Sequence, residues 1–169
     1  DGKILLNLDT EDDDELTIGC AGGTDVVATG TYKTKSVPDT WVGFKISVTG
    51  LTGGHSGVEI NLGRANANKV MNRILYQASE LYKARIAEIN GGSLRNAIPR
   101  ESFATIAISS RKARAFKKFI KEQAALLSAE NKTTDPNLKL AIEETTTPKT
   151  TVETRFQNNL IRTVYACPN

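Results

Sequence analysis

Trp41-Val42-Gly43-Phe44-Lys45-Ile46-Ser47-Val48-Thr49 alternates along its whole length, with Val42, Phe44, Ile46 and Val48 on one side and Gly43, Lys45, Ser47 and Thr49 on the other. A period of two belongs to a β-strand, whose successive side chains point to opposite faces. One apolar face and one polar face mark an antiparallel sheet packed on one side and open on the other.

Downstream, the period changes. From residue 62 to about 82, Val70, Met71, Ile74, Leu75, Ala78, Leu81 and Tyr82 recur at three- and four-residue steps, which predicts a helix with one apolar stripe. A short strand over 85–90 is broken by Gly91-Gly92. Residues 93–100 are too polar for an interior strand and end near Pro99, so they read as an ordered loop. Residues 103–109 are rich in Ile and Thr and read as a strand. A second helix spans 111–131, with Ala113, Phe116, Ile120, Ala124 and Leu127 inward. Its Lys and Arg residues read as a solvated face. Thr133-Thr134-Asp135-Pro136 is a turn, and Leu138, Leu140 and Ile142 alternate as a last strand. The order β-α-β-β-α-β predicts an α+β, ferredoxin-like split β-α-β fold, an antiparallel sheet with two helices on one face.

Upstream, residues 25–34 read as an extra N-terminal strand that extends this sheet by pairing with 41–49. Residues 4–8 read as a strand buried on both faces that delivers Asp9 at its carboxyl end, where ligands gather in α/β proteins. In the acidic cluster that follows, residues 12–15 read as a solvated turn joining two strands. Residues 152–165 read as a further helix with no partner in this chain. The chain opens on Asp1-Gly2 with no initiator methionine, and is expected to be a piece of a longer protein.

With 169 residues and 39% apolar content the chain can bury a core. The net charge of +3 is modest, and no basic stripe is interleaved with aromatics, so nucleic acid is not an expected partner. An RNA-binding open sheet would need an aromatic pair for stacking, and Phe44 and Phe103 read as core. Cys20 and Cys167 lack metal-like spacing and suit a reducing compartment. No apolar run approaches the length of a membrane span.

Gly53-Gly54-His55-Ser56-Gly57 holds the single histidine of the chain. Glycine lets the backbone take positive φ or approach a ligand closely, and histidine is an acid, base or donor near neutral pH. The residues alone leave two readings open: a presented functional side chain, or a tight strand-to-helix turn with an exposed histidine. They also leave open a self-contained ferredoxin-like small-molecule-binding or dimerisation module that uses this loop as its pocket.

Three segments together carry a resemblance: Leu6-Asn7-Leu8-Asp9-Thr10-Glu11 with Gly19-Cys20-Ala21-Gly22-Gly23, then 50–57, then Asn90-Gly91-Gly92-Ser93-Leu94-Arg95-Asn96-Ala97-Ile98-Pro99-Arg100-Glu101. In this order they resemble the bacterial aminoacyl-histidine (Xaa-His) dipeptidases, two-zinc cytosolic exopeptidases related to carnosinases. The resemblance implies that residues 1–23 end a first catalytic segment, that 24–146 form a lid and dimerisation domain, and that 147–169 begin an incomplete helical part of that lid. It implies that Asp9 ligates one of two zinc ions in the full-length enzyme. It implies that His55 reaches a neighbouring subunit's active site to stabilise the oxyanion, and that Asn96 contacts substrate. It also implies a cytoplasmic homodimer acting on Xaa-His dipeptides, with this fragment inactive alone and binding no zinc by itself. Thr10 departs from the serine common in relatives.

Overall fold

The computed structural model describes residues 3, 4, 14 and 22–168. It divides into two compact units, Asp1–Thr31 and Tyr32–Asn169. The described residues of the first unit form no helix or strand, and Val26 and Val27 are exposed. Beyond Ile4, the strand expected over 4–8 lies outside the described residues.

The second unit contains strands β1 (Thr34–Ser36), β2 (Trp41–Thr49), β3 (Arg85–Gly91), β4 (Ser102–Ser109), β5 (Lys139–Thr145) and β6 (Thr150–Val152). Its helices are α1 (Ala67–Gln77), α2 (Ser110–Glu130) and α3 (Thr154–Ala166). The main sheet runs β3-β4-β2-β5, antiparallel throughout, with Phe44 opposite Ile106 and Glu144, and Ile46 opposite Ala104 and Ile142. This is the expected split β-α-β arrangement. The alternation of β2 holds over its centre, where Phe44, Ile46 and Val48 are buried and Lys45 is exposed, but Gly43, read as outward, is buried against Thr146 and Thr147, and Val42 is only half-buried.

One core lies between the sheet and the two helices. Phe44, Ile46, Ile106 and Ile108 meet Met71, Ile74 and Leu75 of α1 and Phe116, Ile120 and Leu127 of α2. Fully burying each large apolar side chain is worth about 1.5–3 kcal/mol, so these positions dominate the stability of the domain. Helix α1 is shorter than the 62–82 expected. Residues Ile60–Leu62 make a single 3-10 turn, Gly63 is left-handed, and α1 starts only after Asn66, whose side chain accepts from the Asn68 and Lys69 amides. The helix then widens into a π turn over Ala78–Tyr82 and stops at Lys83.

Three expectations are corrected. Residues 25–33 form no strand, and the extra N-terminal strand does not extend the main sheet. Only Thr34–Ser36 is extended, and it pairs with β6 in a separate two-stranded sheet. The physical reason is that both edges of β2 are taken, by β4 and β5. Phe103 is not core. It stands opposite Ser47 and Asn90 on the open face, half-buried, with the Lys45 ammonium 5.3 Å from its ring centroid.

The third correction concerns α3, which has partners. Its Gln157 and Ile161 are buried, Asn72 of α1 donates to the Ile161 carbonyl at 3.0 Å, and Lys69 of α1 donates to the Val164, Tyr165 and Cys167 carbonyls that end α3. A cation there satisfies carbonyls that a helix leaves unpaired at its C-terminus. Among the described residues no helix is long and apolar enough to cross a membrane.

Candidate functional site

The loop between β2 and α1 is tied at both ends to one carboxylate. Asp135, buried just beyond α2, accepts the Thr52 amide on Oδ1 and the Ala65 amide on Oδ2, each at 2.8 Å. Burial alone would raise its pKa. The Ala65 and Thr52 amides, with the Thr134 and Thr52 hydroxyls, outweigh that and hold it below the usual carboxylate value. A residue read from the sequence only as part of a turn therefore frames the histidine loop across 83 positions of chain.

Within that frame the loop meets residues 93–100. His55 forms an isolated antiparallel bridge with Ala97, the Ser56 amide donates to the Asn96 carbonyl at 3.0 Å, and the Ile98 amide donates to the Gly54 carbonyl at 2.8 Å. The second loop is anchored in turn, since the Ala67 amide at the start of α1 donates to the Pro99 carbonyl at 2.9 Å. The two motif segments singled out in the sequence are thus brought side by side. His55 and Asn96 are both exposed. An open groove of about 580 Å³ runs alongside, lined among others by Ser56, Ile60, Arg64, Asn68, Leu94 and Pro99.

The imidazole itself is oriented by backbone. Its Nδ1 accepts from the Gly57 amide at 3.1 Å and the Val58 amide at 3.2 Å. A nitrogen that accepts hydrogen bonds carries no proton, so the neutral ring holds its proton on Nε2. The result is an exposed N–H donor in a set tautomer, the chemical requirement for stabilising a developing oxyanion.

Two side chains that the sequence reading did not single out complete the loop. Glu59 Oε2 accepts the His55 amide at 2.7 Å, and Glu59 Oε1 pairs with Arg64 Nη1 at 2.8 Å. Arg64 Nη1 also donates to the Gly53 carbonyl at 2.6 Å. The His55 amide above all, then Arg64, holds the Glu59 carboxyl below its ordinary value, against a smaller opposing effect of burial. Glu59 follows His55 by four positions, a spacing that announces contact only in a helix, and this segment is not one.

Asp9 lies outside the described residues. Among those described, no group of three or more His, Cys, Asp or Glu is placed to hold a metal ion.

A four-stranded antiparallel sheet backed by two helices, with an exposed histidine on the loop after its first strand, defines a ferredoxin-like domain. Residues 46–135, more than half of the chain, match the peptidase dimerisation domain of the M20 class. The chain belongs to that family.

It is 38% identical over 166 residues to the cytosol non-specific dipeptidase of Escherichia coli (strain K12), a match that takes in 98% of this chain and 34% of that protein. The chain therefore spans about a third of the length of the curated relative it matches. The crystal structure of aminoacylhistidine dipeptidase from Vibrio alginolyticus superposes with a TM-score of 0.79 at 33% identity, over 82% of this chain and 28% of that one. A hydantoinase/carbamoylase family amidase from Burkholderia multivorans shares the fold, with a TM-score of 0.51 at 16% identity over 66% of this chain and 28% of that one.

Proposed function

We propose that this chain is the lid and dimerisation part of a cytoplasmic, metal-dependent dipeptidase that hydrolyses Xaa-His dipeptides. Residues 1–23 close a first catalytic segment, 24–146 form the lid, and 147–169 begin a helical extension of it. The lid joins two copies into a homodimer. His55 of one copy donates Nε2–H to the scissile carbonyl oxygen bound in the other as that oxygen becomes an oxyanion, and Asn96 contacts the same substrate. The name of the Escherichia coli relative, a cytosol non-specific dipeptidase, supports dipeptide hydrolysis and the compartment, that of the Vibrio alginolyticus relative supports the aminoacyl-histidine substrate, and the family description supports association.

The observation that carries the reading is the set tautomer of an exposed histidine, locked by two backbone amides and bridged to the Asn96 loop. In the full-length enzyme the hydrolytic metals are two zinc ions, one ligated by Asp9. The roles derived from the described residues are donation by His55 and contact with substrate by Asn96, beside the ligand role of Asp9. On this reading the 169-residue chain is inactive by itself.

The test is turnover of alanyl-histidine by the full-length protein and its His55→Ala variant. Loss of one oxyanion donor costs about a hundred- to a thousandfold in kcat, and the metal content should be unchanged. Unaltered turnover would remove His55 from the reaction. Hydrolysis by the 169-residue chain alone would show that the catalytic apparatus is not elsewhere.

A further inference from the structure

We infer that Glu59 and Arg64 are positioning residues for His55, acting on the reaction only through the orientation of that imidazole. The inference rests on the reading of His55 as the oxyanion donor, and deepens it.

The geometry is a closed ring of interactions. The Glu59 carboxylate takes the His55 amide on one oxygen and Arg64 on the other. Arg64 reaches back to the Gly53 carbonyl, and the Glu59 amide donates to the His55 carbonyl at 3.2 Å. Both main-chain polar groups of His55 are thereby bound to Glu59. This fixes the backbone at His55, while the Gly57 and Val58 amides fix the ring. Each device needs the other. The two amides point at Nδ1 only while the turn from His55 to Glu59 is closed, and the Glu59 carboxylate closes it.

The charge matters as well as the shape. A carboxylate accepting an amide makes a shorter, stronger bond than a neutral acceptor does. Arg64 is the group that keeps the second carboxylate oxygen occupied and aimed. Neither Glu59 nor Arg64 is bonded to the imidazole itself, so neither is assigned contact with a reacting atom. Without the ring the loop would still exist, because Asp135 holds its two ends. What would be lost is the single orientation of Nε2–H, and a donor displaced by about 1 Å costs on the order of a hundredfold in rate.

The test has two arms. In the full-length protein, kcat and KM for alanyl-histidine are measured for Glu59→Ala, Glu59→Gln, His55→Ala and the double variant His55→Ala/Glu59→Ala. The expected result is a fall in kcat of about tenfold or more for Glu59→Ala with KM changed less than about twofold, and partial rescue in Glu59→Gln, which keeps an acceptor for the His55 amide. On the His55→Ala background the Glu59 substitution should have no further effect, because the two act as one unit. If Glu59→Ala lowers kcat equally with and without His55, the role is structural and the inference fails. If His55→Ala leaves turnover unchanged, it is the parent reading that fails.

The second arm needs no activity. The 169-residue chain carries one histidine, so its ring nitrogens give one pair of 15N resonances by NMR. Wild type should show a protonated Nε2 and an unprotonated Nδ1, and Glu59→Ala should show an average of both tautomers. An unchanged Nε2–H tautomer in Glu59→Ala would overturn the inference independently of any substrate.

Discussion

The Gln157 carboxamide lies against β3 as a neighbouring strand would, with Oε1 accepting the Ile86 amide at 2.8 Å and Nε2 donating to the Ala84 carbonyl at 3.0 Å. The side chain is buried, and its Nε2 also donates to the Ser79 hydroxyl at 3.1 Å, so one residue of α3 closes part of a sheet edge and joins it to the end of α1. An uncovered edge is a template for pairing with another chain. Here the chain covers that part of the β3 edge with its own helix.

Gln157→Ala would leave the Ile86 N–H and the Ala84 carbonyl buried without partners. Each such group costs about 1–3 kcal/mol, so the expected loss of stability is about 2–4 kcal/mol, read as a shift in urea midpoint at constant slope. Amide exchange at Ile86 should accelerate in step. A variant within about 0.5 kcal/mol of wild type would mean that water replaces the carboxamide.

Asp135→Asn tests the frame of the histidine loop. The substitution keeps the shape but turns one acceptor oxygen into an NH₂, which then faces the Thr52 or Ala65 amide donor. Losing one charge-assisted bond and setting two donors together should cost about 2–4 kcal/mol. The exposed Arg73–Glu130 pair offers the contrast. It is bidentate at 2.7 and 3.1 Å, yet solvent screening limits such pairs to about 1 kcal/mol or less. Parallel denaturation of Asp135→Asn and Arg73→Met should separate the two, and equal effects would refute the burial argument.

Gly54→Ala probes the loop from its backbone. Gly54 has φ +140, and a Cβ there would stand 2.7 Å from Glu59 Oε2 and against the Arg64 guanidinium. Gly63 also has positive φ (+64), but a Cβ there meets nothing within 4 Å. Backbone strain alone costs about 1–3 kcal/mol at either site. The Gly54 variant should therefore be the less stable of the two by the cost of displacing the carboxylate, measured by thermal unfolding. Equal losses would indicate that the Glu59–Arg64 ring yields freely.

The alternation of β2 and the helical stripes of α1 and α2 were legible because they are local: each residue's face follows from its neighbours in sequence. Pairing partners were not. Residues 25–34 look strand-like on their own, but whether they join β2 depends on β4 and β5 having taken both its edges. Phe103 looked like core because aromatics usually are, and one position of register places it on the open face. Gln157 gave no signal, since a polar residue on a helix reads as solvated until the strand edge beside it is known. In the site, His55 and Asn96 were legible as motif residues. Glu59, Arg64 and Asp135 were not, because their roles arise only from how the loop closes.

The pH dependence of stability follows from the carboxylates that fold into partnerships. Asp135, Glu59 and Glu130 all have pKa values held below the ordinary carboxylate range: Asp135 by amide and hydroxyl bonds that overcome burial, Glu59 first by the His55 amide, and Glu130 first by Arg73. A group whose folded pKa lies below its unfolded value adds stability that is fully present above the unfolded value and is lost as pH falls through the folded one. The expected profile is flat from neutral pH down to about 5, then declines below about 4 as these groups are protonated. Glu130 is exposed and Glu59 only half-buried, so solvent screens both and most of the decline belongs to Asp135. Urea midpoints measured from pH 7 to about pH 2.5 should therefore fall steeply for wild type, and Asp135→Asn, already destabilised at neutral pH, should show a much shallower acid limb. Parallel acid limbs in the two proteins would show that the Asp135 carboxylate is not the group that couples folding of this domain to pH.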